Sequence, residues 1–208
     1  DGTIIHADNF EYDKLTNILK ADGNVIIDDP VNKTKIFTED ITYLKNEEII
    51  YTESRSTAVD EKTFIVANRF EYKKKLNILN AKGNVEIINK VEDYILYTEE
   101  ITYEMSQEKF FTQGYTEAII QSKYNFKSEN VVFFKNEMRL ISSDKSTLED
   151  AEKSTIYKLD EFEYYINEQI LKGQNILVIT NYLKPKSDKT YFVNGIFDFK
   201  SSKFSAKD

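Results

Sequence analysis

The sequence predicts an all-β fold in which antiparallel strands form a sandwich or barrel. Apolar and polar residues alternate with a period of two, while the 3.6-residue period of amphipathic helices is nearly missing. Ile, Val, Phe and Tyr are prominent among the apolar residues, with 14 Phe and 14 Tyr, and these residues suit a pleated, half-buried surface. Short polar clusters separate the apolar stretches at regular intervals, as turns separate short strands.

The chain contains an internal repeat with a spacing of 60 residues. Such a repeat indicates one supersecondary unit stacked on copies of itself around a shared core. We therefore predict a single domain over residues 1–208, with repeats at about 5–54 and 65–114 and a degenerate third unit at about 122–208. Three segments return in the same order: 5–12 as 65–72, 17–25 as 77–85, and 38–43 as 98–103.

Comparison of the two copies predicts which face of each strand is buried. Ile26 is replaced by Glu86 and Leu44 by Glu104, so these positions are expected to face water. Other positions stay apolar in both copies and are expected to face inward, because successive side chains on a strand point to opposite faces. The predicted interior comprises Ile5, Ala7, Phe10, Tyr12, Leu19, Ala21, Val25, Ile27, Ile41, Tyr43, Ala67, Phe70, Tyr72, Leu79, Ala81, Val85, Ile87, Ile101, Tyr103 and Phe133.

Glycine, proline and polar residues predict three local features. Gly23 and Gly83 lie within apolar alternation, which favours a bulge or bend where the sheet curls, with a hairpin turn as the alternative. A turn is expected around Pro30. The segment 142–159 is the least strand-like part of the chain, and for it we predict a loop or one short helix over 148–153.

The charge and the cysteine content exclude several classes of function. The net charge is −8 and the pI about 4.9, so no basic stripe is available to bind a nucleic-acid backbone. Cysteine is absent, which excludes a disulfide framework, thiolate catalysis and a zinc ribbon. The longest apolar run is far too short to span a bilayer.

Adjacent carboxylates invite comparison with glycosidases, which use a pair of acids. Glu39 and Asp40 form one such pair, and Glu99 and Glu100 form the other. Neighbours on a strand point to opposite faces and cannot flank one bond together. The preferred interpretation is therefore a turn or a solvated strand start.

Asp28, Asp29 and Asn32 carry oxygen atoms of the kind that bind calcium. The second copy has Ile88 and Asn89 at the positions of the two aspartates, and no spaced Asp-x-Asp loop with glycine follows. A plain turn is the preferred interpretation.

His6 is the single histidine of the chain and its counterpart is Val66. One histidine makes neither a zinc site nor a catalytic triad without further partners, so we expect an outward-facing strand residue. No phosphate-binding glycine loop or nucleophile elbow appears. The sequence therefore predicts no catalytic residue, no metal site and no cofactor.

The inward apolar residues remain as the candidate functional surface, and two interpretations stay open. They form either a closed core or the lining of an apolar trough wide enough for a lipid chain. An enzyme would bring acids together across strands, whereas a purely structural or adhesive repeat would have a closed core without an opening.

The repeated motifs Ala-Asp-x-Phe-x-Tyr-Asp, x-Ala-x-Gly-Asn-Val and Thr-Glu-x-Ile-Thr-Tyr resemble those of the organic-solvent-tolerance, or OstA-like, family. Members are periplasmic jellyroll domains of the lipopolysaccharide transport system. The resemblance covers residues 3–115 and fades afterwards. Residues that match are Ala7, Asp8, Tyr12, Asp13, Ala21, Gly23, Asn24, Val25, Ile41 and Tyr43 in the first copy, and Ala67, Tyr72, Ala81, Gly83, Asn84, Val85, Ile101 and Tyr103 in the second.

The resemblance implies a twisted antiparallel β-jellyroll whose interior holds the acyl chains of lipid A, without enzymatic activity. Three kinds of relative carry such domains: the free bridging protein, the inner-membrane-anchored protein and the domain that precedes the outer-membrane translocon barrel. The length and the strand-like ending favour the translocon's amino-terminal domain, on the periplasmic side of the outer membrane. The implied partners are lipopolysaccharide, a related jellyroll, a carboxyl-terminal β-barrel and its lipoprotein plug.

An open jellyroll leaves edge strands that can pair with another chain. The first repeat begins near the amino terminus, and no proline blocks pairing there. We therefore predict that a related jellyroll docks by strand addition on the edge formed by Thr3, Ile4, Ile5, His6 and Ala7.

Overall fold

The computed structural model describes residues 2–207 and consists almost entirely of strands. The predicted domain ends, Asp1 and Asp208, lie outside the described residues. Two 3₁₀ turns, Lys74–Leu76 and Met105–Gln107, interrupt the strand sequence. The strands are β1 (Ile4–His6), β2 (Asn9–Asp13), β3 (Ile18–Asp29), β4 (Thr34–Leu44), β5 (Ile49–Thr52), β6 (Ser56–Val59), β7 (Thr63–Ala67), β8 (Arg69–Lys73), β9 (Ile78–Asn89), β10 (Tyr94–Glu104), β11 (Lys109–Ile120), β12 (Tyr124–Glu129), β13 (Val132–Phe134), β14 (Arg139–Ser142), β15 (Ser146–Asp150), β16 (Thr155–Leu159), β17 (Glu161–Tyr165), β18 (Ile170–Thr180), β19 (Asp188–Asp198) and β20 (Lys203–Lys207).

The strands pair antiparallel, each chiefly with strands close to it in sequence. For example, β3 pairs with β1, β2 and β4, and β18 pairs with β16, β17 and β19. The predicted all-β, antiparallel fold is therefore confirmed. The chain divides into two compact units: unit 1 runs to Glu92 and includes Tyr97–Gln107, and unit 2 comprises Asp93–Leu96 and the residues from Glu108 onward.

In unit 1 each long strand serves two layers of sheet. Residues 18–22 of β3 pair with β2, whereas residues 26–28 pair with β1. β4 divides in the same way between β5 and β6, and β9 between β8 and β7. The layer that contains β2, β5 and β8 is called the first layer here, and the layer that contains β1, β6 and β7 the second layer.

The two layers of unit 1 meet at a crease in the long strands. The register of β3 against β4 shifts between Asp22 and Val25, where two residues of β3 oppose one of β4. Gly23 has φ +78° at this bulge, and its carbonyl accepts a 2.9 Å hydrogen bond from the Asp8 N–H. Gly83 repeats both the φ value and the bond, with Asn68 as donor. The predicted bulge is thus the fold's bend, because glycine adopts positive φ without steric cost.

Unit 2 likewise consists of two layers of sheet, and its long strands bend at Gly114 and at Asn175. The first layer runs through β13, β14, β17 and β20, and the second through β12, β15 and β16. Gly114 has φ +80° and accepts a bond from the Asn130 N–H at 3.2 Å. In β18 the carbonyl of Gln174 accepts from Asp160, and Asn175 supplies the positive φ.

The turns at the first-layer end of the strands are bonded to one another as a ladder. In unit 1, Lys45 N–H donates to the Asn17 carbonyl at 3.2 Å, and Lys74 N–H to the Glu48 carbonyl at 3.0 Å. In unit 2, Ile166 N–H donates to the Met138 carbonyl at 2.9 Å. These bonds extend the strand pairing across the turns, and each satisfies one backbone N–H and one carbonyl group there.

Two local predictions are wrong. The segment 142–159 contains neither a long loop nor a helix; it forms β15 and β16, joined by the turn 151–154. Several of its inward, buried positions carry polar residues, namely Ser142, Ser146, Asp150 and Thr155, and this hid the period of two. Glu39 and Asp40 lie inside β4 rather than at a turn or strand start, because the crease is in the middle of the long strands.

Replacement of the crease glycines by alanine separates backbone strain from steric collision. A Cβ at Gly83 would lie 2.9 Å from the Asn68 side chain, whereas a Cβ at Gly114 would meet nothing within 4 Å. We expect Gly114→Ala to lower the free energy of unfolding by about 1–2 kcal/mol, the cost of positive φ for an L-residue. Gly83→Ala should cost more, because Asn68 must also move. Urea unfolding of both variants measures the difference, and equal losses would contradict a collision at Gly83.

Candidate functional site

Predicted interior residues of unit 1 form continuous rows across neighbouring strands, together with four residues that the prediction did not include: Ile36, Ile50, Ala58 and Ile65. In each row, every residue is the cross-strand partner of the next one. The first-layer row begins on β2 and the second-layer row on β1, and both end on β9. The first-layer row is Tyr12, Leu19, Tyr43, Ile50, Tyr72 and Leu79. The second-layer row is Ile5, Ile27, Ile36, Ala58, Ile65 and Ile87.

The first-layer row is open to solvent at its amino-terminal end and closed further along. Tyr12 is 41% exposed, Leu19 and Tyr43 are half-buried, and Tyr72 and Leu79 are buried. Phe10 lies on the same face as Tyr12 and is 53% exposed. Phe10 and Tyr12 are therefore not interior residues in this structure, because β2 pairs only with β3 among the described residues and no strand covers its other side.

The remaining predicted interior residues divide by burial. Three of them, Ile5, Ala7 and Leu19, are half-buried near the same open end, as is Tyr43. The others are buried in the body of the fold: Ala21, Val25, Ile27, Ile41, Ala67, Phe70, Tyr72, Leu79, Ala81, Val85, Ile87, Ile101, Tyr103 and Phe133. Whether any of these side chains contacts a lipid stays a prediction.

Unit 2 has an equivalent first-layer row that sequence comparison did not find, apart from Phe133. It opens at its carboxyl-terminal end, since Phe197 is 6% exposed and Phe204, on the outermost strand, 64%. Phe126 in the second layer stacks on Phe162 in the first, with ring centroids 5.3 Å apart, so the two layers of this unit are in direct contact. The row is Phe110, Phe133, Leu140, Tyr164, Leu171, Phe197 and Phe204.

The interior of unit 2 is closely packed between these layers. A void lined by Tyr94, Ala118, Phe133 and Ile166, among other residues, has a volume of only about 10 Å³. A larger groove of about 370 Å³ lies beside the crease, and its lining includes Glu161, Lys172 and Asn194. The larger space in this unit is thus a groove with both polar and apolar lining residues, whereas the apolar interior is filled by side chains.

A polar contact joins the two layers of unit 1. Tyr72 in the first layer donates its hydroxyl to Asp29 Oδ2 in the second layer at 2.7 Å. Asn32 Nδ2 donates to the same carboxylate oxygen at 3.0 Å and to the Tyr72 hydroxyl at 2.9 Å. We call Asp29, Asn32 and Tyr72 the clasp. The Asp29 carboxylate also accepts the backbone N–H groups of Val31 and Asn32, so it holds the turn around Pro30 and links the two layers.

The electrostatics of the clasp follow from burial and these bonds. Burial raises the pKa of Asp29, but hydrogen bonds from Tyr72 and Asn32 and from backbone N–H groups outweigh burial and hold the pKa below its ordinary value. Burial, and then the neighbouring Asp29 carboxylate, raise the pKa of Tyr72. The carboxylate is thus ionised and the phenol neutral at pH 7.

Unit 2 lacks this contact at the corresponding place. Asp150 is fully buried, and its Oδ1 accepts the Lys153 N–H at 3.1 Å, but Oδ2 has no hydrogen-bond partner in the protein. The hydroxyls of Tyr124 and Tyr164 are likewise without a protein partner. Burial and the Asp150 charge raise the pKa of Tyr157 to about 12.

The residues weighed as catalytic or metal-binding from the sequence do not assemble into a site. His6 is exposed on β1, as expected for an outward-facing residue. Asp40 Oδ2 accepts the Glu53 N–H at 2.9 Å, which gives this acid a structural role at the crease. Within residues 2–207 no group of three or more His, Cys, Asp or Glu side chains is placed to hold a metal ion. The helices of the described part are too short to cross a membrane.

The predicted partner edge lies on the outermost strand of the second layer. β1 pairs only with β3 among the described residues, and Ile4 is 53% exposed. The interior partner of Ile5 across this pair is Ile27.

Comparison with known proteins gives limited similarity. No model of a protein family matches the sequence. No curated protein matches it either. A solved structure similar to this one is LptH of Pseudomonas aeruginosa, the periplasmic component of the lipopolysaccharide transport device that is homologous to LptA. The match has 17% identity and a TM-score of 0.47, and covers 53% of this chain and 81% of LptH.

The same substitution at two tyrosines tests the clasp. Tyr72→Phe removes a donor from a buried carboxylate and should lower the free energy of unfolding by about 1.5–3 kcal/mol. Tyr164→Phe is the matched variant: it removes a buried hydroxyl that has no protein partner, so stability should be unchanged or higher. Urea denaturation measures both, and a loss at Tyr164 as large as that at Tyr72 would contradict this assignment.

The clasp also predicts a pH dependence. Because the pKa of Asp29 is lowered in the folded state, its ionised form contributes stability above its unfolded pKa of about 4. This contribution is lost as the pH falls through the folded pKa. Asp29→Asn should therefore flatten the decrease in stability below about pH 4. Asp28→Asn changes the net charge equally and is the control, and an equal flattening there would contradict a specific role of Asp29.

Proposed function

We propose that this chain is a non-enzymatic lipid carrier of the OstA-like class, which binds lipopolysaccharide through its acyl chains and passes it along the stack. The observation that carries this proposal is that each unit has an apolar row that reaches solvent at an outermost strand of that unit. Tyr12 at one outermost strand and Phe204 at the other belong to rows whose inner members are buried.

The chemistry of these open ends suits an acyl chain. Transfer of apolar surface out of water contributes about 25 cal/mol per Å². Phe10, Tyr12, Leu19 and Tyr43 offer a partly exposed apolar surface on one side of unit 1. The next residues in each row are aliphatic or aromatic, and at the open end of unit 1 the ammonium groups of Lys45 and Lys74 lie over the rings of Tyr12 and Tyr43.

The place of the chain in the transport system belongs to the same proposal. We assign it to the periplasm, as the domain that precedes an outer-membrane translocon barrel, with the free bridging protein as the alternative. A related jellyroll would pair with β1 over residues 3–7, which would join the open row of unit 1 to that of its partner. The barrel and its lipoprotein plug are the further partners of this assignment.

A structural or adhesive repeat is the second candidate, and one observation favours it. Beyond the open ends the interior is closed: Leu79, Ala81, Ile87 and Ile101 have no exposed surface. A repeat that only transmits force or spaces two partners needs such a core and no opening.

Photo-crosslinking at neighbouring positions of one strand distinguishes the two candidates. A benzoylphenylalanine at Tyr12 lies in the apolar row, whereas one at Glu11 lies on the opposite face of β2. Incubation of the folded variants with lipopolysaccharide should give a lipid adduct at Tyr12 and none at Glu11. Tyr43 and Thr42 on β4 form a second matched pair and should behave in the same way.

The outcome decides between a carrier and a structural repeat. Adducts confined to the row positions support lipid carriage. Absence of adducts at both Tyr12 and Tyr43, in variants with an unchanged circular dichroism spectrum, would reject it and leave the structural repeat.

A further inference from the structure

We propose that one rim of unit 1 is a docking surface for an anionic lipid bilayer. The rim consists of the turns 13–17, 45–48 and 73–77, and we call it the lysine rim. This inference concerns the outside of the fold and holds whether or not the interior carries acyl chains.

The lysine rim is a continuous surface because its turns are bonded side by side. Lys45 N–H donates to the Asn17 carbonyl, and Lys74 N–H to the Glu48 carbonyl. Asn17 Nδ2 donates to Asn46 Oδ1 at 3.3 Å, and Lys75 Nζ to the Asn46 carbonyl at 3.1 Å. Successive turns are two strands apart, so the rim is about 20 Å long.

The charge of the lysine rim has the opposite sign to that of the chain. Its three turns carry five lysines against three carboxylates, whereas the whole chain has a net charge of −8. The ammonium groups of Lys45 and Lys74 lie over the rings of Tyr12 and Tyr43, at 4.8 and 5.8 Å from the ring centroids. These rings hold the two cations at the rim, where a lipid phosphate can reach them.

Two leucines project from the same turns. Leu15 is 96% exposed and Leu76 is 62% exposed. Each follows a lysine directly, since Lys14 precedes Leu15 and Lys75 precedes Leu76. An apolar tip beside a cation matches the boundary between phosphate headgroups and acyl chains, where both groups find a favourable environment.

A cleft between the first two turns is placed to receive a headgroup. It has a volume of about 240 Å³ and is lined by Thr16, Ile18, Leu44, Lys45, Asn46 and Glu47. The ammonium of Lys45 is a donor suited to a phosphate, whereas Glu47 opposes binding of an anion and the Thr16 hydroxyl is hydrogen-bonded to Asp13. The cleft thus offers phosphate contacts between the two apolar tips.

The opposite rim of unit 1 lacks the charge and provides a built-in control. Its turns, 29–33, 60–62 and 90–92, carry three lysines against four carboxylates. Val31 and Val91 are 76% and 66% exposed there, so both rims present two aliphatic side chains. A difference between the rims in membrane binding therefore reports charge and placement rather than exposed apolar surface alone.

Vesicle flotation with the full chain tests the proposal. We expect binding, at low ionic strength, to vesicles of phosphatidylcholine mixed with phosphatidylglycerol, and none to phosphatidylcholine alone. Lys14→Gln/Lys45→Gln/Lys74→Gln should weaken the partition coefficient about 100-fold, since each lysine near an anionic surface contributes about fivefold. The control Lys33→Gln/Lys62→Gln/Lys90→Gln gives the same net charge and should bind like the wild-type chain.

Leu15→Ser and Leu76→Ser test the apolar contribution to binding. Both side chains are exposed, so these substitutions leave the core intact. Each should weaken binding about tenfold, and Val31→Ser should have no effect. Failure of the wild-type chain to bind phosphatidylglycerol vesicles would overturn the proposal. Equal losses in the two lysine variants, or equal binding to neutral vesicles, would overturn it as well.

Discussion

The crease in the long strands is the constraint on which the rest of the structure depends. Each long strand must serve two layers; β3 bends at the bulge at Gly23, and β9 bends at Gly83, which has the same positive φ. The backbone bond from Asp8 or Asn68 to the glycine carbonyl then fixes the bend. Ala21 and Val25, on either side of the bulge, both remain buried, so the apolar rows of the two layers share one interior.

Much of this fold could be predicted because the repeat supplies a second sample of each position. The pair Ile26 and Glu86 identifies an outer face, and the pair Val25 and Val85 identifies an inner one. The bulge follows from a glycine inside strand alternation. The same comparison fails beyond residue 115, where Gly173 does not occupy the place of Gly23 and Asn175 supplies the positive φ instead. A repeat that has diverged in its bend residues no longer reveals its register.

The features that could not be predicted from the sequence depend on where a residue lies within the stack of strands rather than on its type. Phe10 and Phe70 are the same residue in the same motif, yet one is 53% exposed and the other 3%. Their difference arises because β8 is covered on both sides and β2 on one. The clasp is of the same kind: Asp29 and Tyr72 lie 43 residues apart, and the next repeat has Asn89 instead of an acid. Contacts between layers skip strands, so no local pattern contains both partners.

Under the proposed function, the clasp opposes movement of an acyl chain inward from the open row. Separation of the layers at Tyr72 breaks a hydrogen bond to a charged acceptor, which costs about 1.5–3 kcal/mol. Each methylene group that leaves water contributes about 0.8 kcal/mol. About four buried methylene groups therefore offset the loss of one clasp bond, and an acyl chain has more than that. The packed interior of the free chain is thus compatible with lipid carriage, provided that the chain enters from the open end and replaces the side-chain contacts as it advances. In unit 2 the corresponding acid is Asp150, and its Oδ2 makes no hydrogen bond to the other layer. Separation of the two layers therefore costs less hydrogen-bond energy in unit 2 than in unit 1.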